Sequence, residues 1–222
     1  TEKFQKATDA MKDESDRREM KPIVCLCRAW QMMTRAEAEA SPDLYKEASK
    51  LFEEAKDQSL DEKAKMLALG HSSFCKALEA GTRFEAVRDT SLHTLATQHL
   101  EGAASYYLRA GFKNASEYAE ATQKLLDAYL YMHNAKTETD PTKKAQFYMM
   151  AEKVLQASAG SYLKAKHPEK QEQVSSLLEK VRNERELALS LTEVLHAPMA
   201  TSTTATFTTP TPTAETPTGL ER

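Results

Sequence analysis

Residues 100–132, LEGAASYYLRAGFKNASEYAEATQKLLDAYLYM, hold two helices and the joint between them in little more than thirty residues. Ala103, Tyr107 and Ala110 stand at i, i+4 and i+7, one stripe of a 3.6-residue period in which small residues let a neighbouring helix approach an aromatic knob. Gly111 marks the end of the first helix. Asn114 and Glu117 have the spacing of a capping box, which predicts that the second helix opens there. The stretch reads as one helical hairpin of a repeated structure.

Upstream, Ser41 and Pro42 pair an N-cap with a proline at the first helical position, where the missing N–H had no partner in any case. The helix they open presents Tyr45, Ala48, Phe52 and Ala55 on one face. Before it, the run from Pro22 to Ala40 is apolar early and charged late. That predicts a helix whose first half is packed, with Trp30 as anchor, and whose second half emerges into solvent. Residues 1–18 carry Phe4, Ala7 and Met11 at helical spacing and make a marginal helix or a frayed lead-in.

Between Ser41 and the central hairpin, Ser59 and Glu62 form a second capping box. They open a helix with Leu67, Gly70, Phe74, Ala77 and Leu78 facing inward and Gly81 closing it, followed by a short helix around Phe84 and Val87. Beyond the hairpin, Lys136 to Thr139 is a polar break, and Asp140-Pro141 repeats the cap-plus-proline start. That helix runs to about Lys166, and His167-Pro168 marks the last joint. Val174, Leu177, Leu178, Val181, Leu187, Leu191 and Leu195 then give the final helix a continuous apolar stripe. No proline lies between Pro42 and Pro141, and strands find no support.

A small residue, an aromatic four later and an alanine three after that recur as Ala48-Phe52-Ala55, Gly70-Phe74-Ala77, Ala103-Tyr107-Ala110 and Ser158-Tyr162-Ala165. The local wording repeats too, as FCKA, YLRA and YLKA. Successive aromatics are 22, 33 and 55 residues apart, and only one spacing approaches the ~34 of a tetratricopeptide repeat. These residues resemble the second-helix signature of tetratricopeptide repeats, and YYLRAGFKNASEYAEA is similar to the more irregular repeats of the alpha-SNAP type. The resemblance covers about residues 42–195 and lacks the Trp-Leu-Gly-Tyr part of the first-helix motif. Chiefly through the PTPT and GLER wording of its end, the chain is also similar to helical regions of archaeal multidomain proteins.

The expected fold is all-α, an irregular α-solenoid of about 7–8 helices in stacked hairpins over residues 1–195, with a Thr/Pro-rich linker or tail over 196–222 that the composition predicts to be disordered. From Thr201 to Thr218 the chain is almost wholly Thr, Pro, Ala and Ser. It has no ladder or core to join unless Phe207 docks on the helical body. The start at Thr1 without Met, together with this tail, suggests a segment of a longer polypeptide.

Composition bounds the function. With 41% hydrophobic and 28% charged residues and a formal net charge of −3, the chain is an ordinary globular one, without a basic cluster to hold a phosphate backbone. Nucleic acid and membrane are therefore not the expected partners, and the compartment expected is the cytoplasm. Three cysteines cannot all pair within the chain, and Cys25 and Cys27 diverge on a helix, so all are read as reduced thiols. Asn114-Ala115-Ser116 matches a glycosylation acceptor, but the helix start explains the same residues.

Six glycines, none in a run, supply no phosphate-binding loop, and Glu193-to-His196 alone does not make the paired motif of a di-iron bundle. No catalytic residue, cofactor or metal site is therefore assigned. What the family resemblance implies is a non-catalytic scaffold or regulatory module that binds a peptide, a partner protein or a neighbouring domain of its own chain. Lys76, Arg109 and Lys164, each just before the signature alanine, are the candidate groove cations for an acidic peptide. Two alternatives stay open. His71 and Cys75, four apart on one face, with Cys25 or Cys27 as a third ligand, would make a metal site in a helical bundle. The stripe of the last helix would suit a spacer or oligomerisation element.

Overall fold

The computed structural model describes residues 13–196 together with Lys6 and Ala10, with side chains as far as Glu193. The expected lead-in over residues 1–18 falls largely outside the described residues, as does the Thr/Pro segment. Seven helices make up the described part: α1 (Glu14–Glu39), α2 (Pro42–Gln58), α3 (Glu62–Val87), α4 (Thr90–Arg109), α5 (Lys113–Thr137), α6 (Pro141–Lys164) and α7 (Pro168–His196). The joints are two or three residues long, so consecutive helices fold back antiparallel and each packs chiefly on its sequence neighbours.

The caps explain most boundaries. Ser41 Oγ accepts from the Leu44 N–H at 3.4 Å, and Asp140 Oδ1 accepts from Thr142 N–H at 2.8 Å, with Pro42 and Pro141 in the first turn as the sequence predicts. Four expectations need correction. Asp13, whose carboxylate accepts from the Ser15 N–H at 2.8 Å, opens α1 well before Pro22, which lies inside the helix. Asp61, not Ser59, caps α3 through Ala64 N–H at 2.8 Å; Ser59 closes α2, its N–H donating to the Ala55 carbonyl. A carboxylate at the positive end of the helix dipole outcompetes the hydroxyl. Gly81 does not stop α3, which runs on to Val87; its bare Cα lies against Leu126 of α5. Finally, Asn114 lies inside α5, which starts at Lys113 without a side-chain cap.

That last boundary is set by the end of the helix before it. Phe112 N–H donates to the Tyr107 carbonyl at 2.8 Å and Gly111 N–H to Leu108 at 3.0 Å, with Gly111 at φ +86°, which is a Schellman ending. The same bonds recur 55 residues later, where His167 N–H reaches the Tyr162 carbonyl at 3.0 Å and Lys166 N–H reaches Leu163 at 3.1 Å. Here Lys166, at φ +65°, takes the place of the glycine. A side chain is strained in that left-handed conformation, so Lys166→Gly is expected to raise stability by about 0.5–1 kcal/mol, read as a higher urea midpoint at unchanged slope.

This recurrence exposes the repeat. Phe52, Tyr107 and Tyr162 are spaced 55 and 55, and the positions around them match: Tyr45, Leu100 and Leu155; Ala48, Ala103 and Ser158; Ala55, Ala110 and Ala165 are all buried. The unit is one hairpin, α2–α3, α4–α5 or α6–α7, with helices longer than those of a 34-residue repeat. The fourth signature, around Phe74, sits on α3 and breaks the period as read from sequence alone. Ser158 keeps its place among alanines by donating its hydroxyl to the Ala121 carbonyl at 2.8 Å.

The core is correspondingly elongated. One cluster joins Ala29, Ala48, Phe52 and Cys75 of α1–α3; a second joins Phe74, Phe84, Leu100, Tyr107 and Leu126 of α3–α5; a third joins Tyr148, Leu155, Tyr162, Val174, Leu178 and Val181 of α5–α7. On α5, Ala121, Ala128 and Ala135, one heptad apart and fully buried, let α6 approach closely. The equivalent positions on α7, Ser176, Asn183 and Ser190, are exposed and polar, as suits a helix at the end of the described stack. The stripe expected on α7 is buried only in part: Val174, Leu178, Val181 and Ala188 are inside, whereas Leu187 and Leu191 are 58% and 49% exposed. Among the described helices α7 packs chiefly on α6, so only the part of its apolar stripe turned toward α6 is covered.

Gly70 shows how closely the hairpins fit. A Cβ there would lie 2.6 Å from Tyr107 Cε1 and 2.7 Å from its Cδ1, whereas one at Gly160 would meet nothing within 4 Å. Gly70→Ala is expected to cost about 1–2 kcal/mol despite alanine's better helix propensity, while Gly160→Ala is expected to gain about 0.5–1 kcal/mol. Chemical denaturation of the two variants side by side checks the pair.

Candidate functional site: a tyrosine-lined groove

The repeat places the odd-numbered helices on one side of the stack, and the surface between them is a groove of about 860 Å³. Met33 and Glu37 come from α1, His71, Phe74, Leu78 and Glu85 from α3, and Tyr118, Thr122, Leu125 and Tyr129 from α5. Lys170, Gln173, Val174 and Leu177 come from α7. The even helices add one tyrosine each, Tyr45, Tyr107 and Tyr162, so five of the eight tyrosines line it.

Two aromatic clusters reach its floor, the first through His71 and Tyr107 and the second through Phe74, Tyr118, Tyr162 and His167. His71 lies face to face with Phe52, ring centroids 4.9 Å apart, and meets Trp30 and Tyr107 edge-on at 5.5 and 5.1 Å. Four successive helices thus contribute one ring each. Tyr118 meets Phe74 at 5.7 Å, Tyr162 at 5.2 Å and His167 at 4.6 Å. Edge-on and tilted contacts of this kind suit the ring quadrupoles and fix the rings in place.

Hydrogen bonds orient the two signature tyrosines. The indole N–H of Trp30 can only donate, and it lies 3.3 Å from His71 Nε2, so that nitrogen is the acceptor and the proton sits on Nδ1. His71 Nδ1–H then donates to Tyr107 Oη at 2.9 Å. Tyr162 Oη shares a hydrogen bond of 3.0 Å with Thr122 Oγ1. Each signature tyrosine thus ends on a polar residue of the preceding odd helix. Burial pushes His71 down to about 4 and Tyr45 up to about 12, and raises Tyr107, Tyr118 and Tyr162 as well. At neutral pH the floor is therefore an uncharged surface of rings and hydroxyls.

Three charged side chains line the groove, Glu37, Glu85 and Lys170. Lys170 Nζ donates to Glu37 Oε1 at 2.9 Å, joining α7 to α1 across 133 residues of sequence. Burial alone would lower the Lys170 ammonium, but the bond and charge of Glu37 outweigh it and hold the group above its usual range. Glu85 lines the same groove from α3.

The cations singled out from sequence lie elsewhere. Lys76 lines a separate cleft of about 430 Å³ between α2, α3 and α4, and its Nζ donates to Glu53 Oε1 at 2.6 Å, which holds the Glu53 carboxyl below its usual value. Arg109 and Lys164 occupy equivalent places in the repeat, exposed at the last turns of α4 and α6. None of the three lines the large groove: Arg109 and Lys164 sit on even helices, which turn these positions outward, and Lys76, although on α3, faces Glu53 of α2 and the smaller cleft. The residues that do line it carry one legible signal, Tyr118 and Tyr129, three turns apart on a single helix. Trp30, expected as a buried anchor, is 38% exposed beside His71.

The metal reading finds little in the geometry. Both ring nitrogens of His71 are engaged, burial pushes the Cys75 thiol up to about 12, and Cys25 donates to Gln58 Oε1 at 3.4 Å. No group of three or more His, Cys, Asp or Glu side chains that could hold a metal ion occurs among the described residues. All three cysteines are unpaired. No protein-family model, curated protein or solved structure matches the chain.

Proposed function

We propose that this chain is a non-catalytic helical-repeat module, a scaffold or regulatory part, that receives a segment of a partner protein or of a neighbouring part of its own chain in the tyrosine-lined groove. The observation that carries the reading is the lining itself: five tyrosines facing one groove from four different helices, with Tyr107, Tyr118 and Tyr162 held by hydrogen bonds or ring contacts. Rigid rings with hydroxyl tips offer large contact area at low entropic cost and donate to the carbonyls of an extended peptide. Kinship with tetratricopeptide-like repeats belongs to the same proposal, supported by hairpin stacking and the small-aromatic-alanine signature. The 55-residue unit makes any such repeat a long-helix form. No helix among the described residues is long and apolar enough to cross a membrane, and three unpaired thiols support a reducing, cytoplasmic setting.

Selection from a random peptide-display library against the full chain tests this. Enriched sequences should carry ring or proline side chains and lose binding at least tenfold to Tyr129→Ala and Gln173→Glu, while Arg109→Ala and Lys164→Ala leave it within twofold. Enrichment indifferent to the groove variants, or none at all, would overturn the proposal.

A further inference from the structure

Resting on that reading of the groove, we infer that its occupant is a proline-rich segment in polyproline-II form, and that the first such occupant is the chain's own stretch Phe207–Pro217, FTTPTPTAETP. Three observations lead there. A polyproline-II strand makes no internal hydrogen bonds, so its carbonyls seek donors, and its rings dock between aromatic faces. The groove supplies both, in the half-buried rings and hydroxyls of Tyr118 and Tyr129. Phe207 and Pro210 stand three apart, on one face of a three-residue turn.

Reach agrees. From Val174, which lines the groove, to His196 at the end of α7 is about 33 Å of helix. The thirteen residues between His196 and Pro210 span about 40 Å when extended, enough to run back along α7 and enter the groove.

The path is marked. Leu187 and Leu191 continue the side of α7 that carries Gln173, Leu191 five whole turns beyond it, and both are exposed apolar side chains with no helix over them. Between Thr201 and Thr218 the segment carries a single charge, Glu215, so docking desolvates little else.

The test uses the full chain with the Pro210→Ser, Pro212→Ser and Pro217→Ser substitutions together, which leave the helical body untouched, and with Tyr129→Ala. In amide and tyrosine-ring NMR spectra, the triple variant should shift the signals of Tyr118, Tyr129 and Gln173. Tyr129→Ala should in turn move residues 207–217 toward random-coil positions, and sedimentation should show a monomer throughout. Random-coil positions for 207–217 in the unaltered chain, with groove signals identical in the triple variant, overturn the inference. Docking that appears only as concentration rises, with a dimer in sedimentation, overturns it equally. Either failure leaves the display selection to decide whether the groove receives some other peptide.

Discussion

Tyr107→Ala is expected to destabilise the chain by about 3–5 kcal/mol, the largest single-residue effect in the stack. The side chain is 3% exposed and belongs to the cluster that joins α3, α4 and α5. Its ring fills the space that Gly70 leaves on α3, so truncation opens a cavity that α3 has no side chain to fill. It also removes the partner of His71 Nδ1. The loss should appear in urea melts as a lower midpoint and, in hydrogen exchange, as faster opening of both hairpins that meet there, since stability in a stacked repeat is carried through neighbour interfaces. Arg109→Ala, two residues on but exposed, should change stability by less than about 0.5 kcal/mol. Comparable losses in the two would mean that the faces of α4 are assigned wrongly.

The second large effect is acid sensitivity. His71 titrates near 6.5 in an unfolded chain and near 4 when folded, because burial disfavours the imidazolium. Between those values the unfolded chain binds a proton that the folded chain does not. Stability from this residue is therefore complete above about pH 6.5 and is lost as pH falls toward 4, by up to about 3 kcal/mol at ~1.4 kcal/mol per unit. His71→Gln should flatten the fall in unfolding free energy over that window by most of this amount. Below it, carboxylates held low by their partners, such as Glu53 beside Lys76, add their own losses and the two curves should run parallel again. Equal slopes from pH 6.5 to 4 would contradict the neutral, doubly hydrogen-bonded state of His71.

How much of this was legible in the sequence divides by range. Local signals read true where one residue does one job: Ser41-Pro42, Asp140-Pro141, Gly111 and His167-Pro168 mark joints because caps, proline and a left-handed turn act within a few residues. Gly81 misled because a glycine need not end a helix: α3 runs on past it to Val87, and a Cβ there would meet only Leu126, 45 residues away, at an ordinary 3.6 Å. The period was hidden for a similar reason, since Phe74 repeats the signature on α3 and splits one 55-residue spacing into 22 and 33.

The groove was the least legible part. Position next to a signature alanine picked out Lys76, Arg109 and Lys164, yet which side of a stack is concave depends on how every hairpin leans on the next. No local pattern encodes that. Tyr118, Tyr129 and His71 look like ordinary half-buried residues in their own helices. They become a site only when α1 and α7 close on each other through Glu37 and Lys170.

The tyrosines themselves provide the most direct test of the groove. With their rings isotopically labelled, a display-selected peptide titrated into the full chain should shift Tyr45, Tyr107, Tyr118, Tyr129 and Tyr162 together and leave Tyr106, Tyr131 and Tyr148, which do not line the groove, in place. Shifts confined to those three, or to the cleft around Lys76, would contradict a peptide-receiving function for this face.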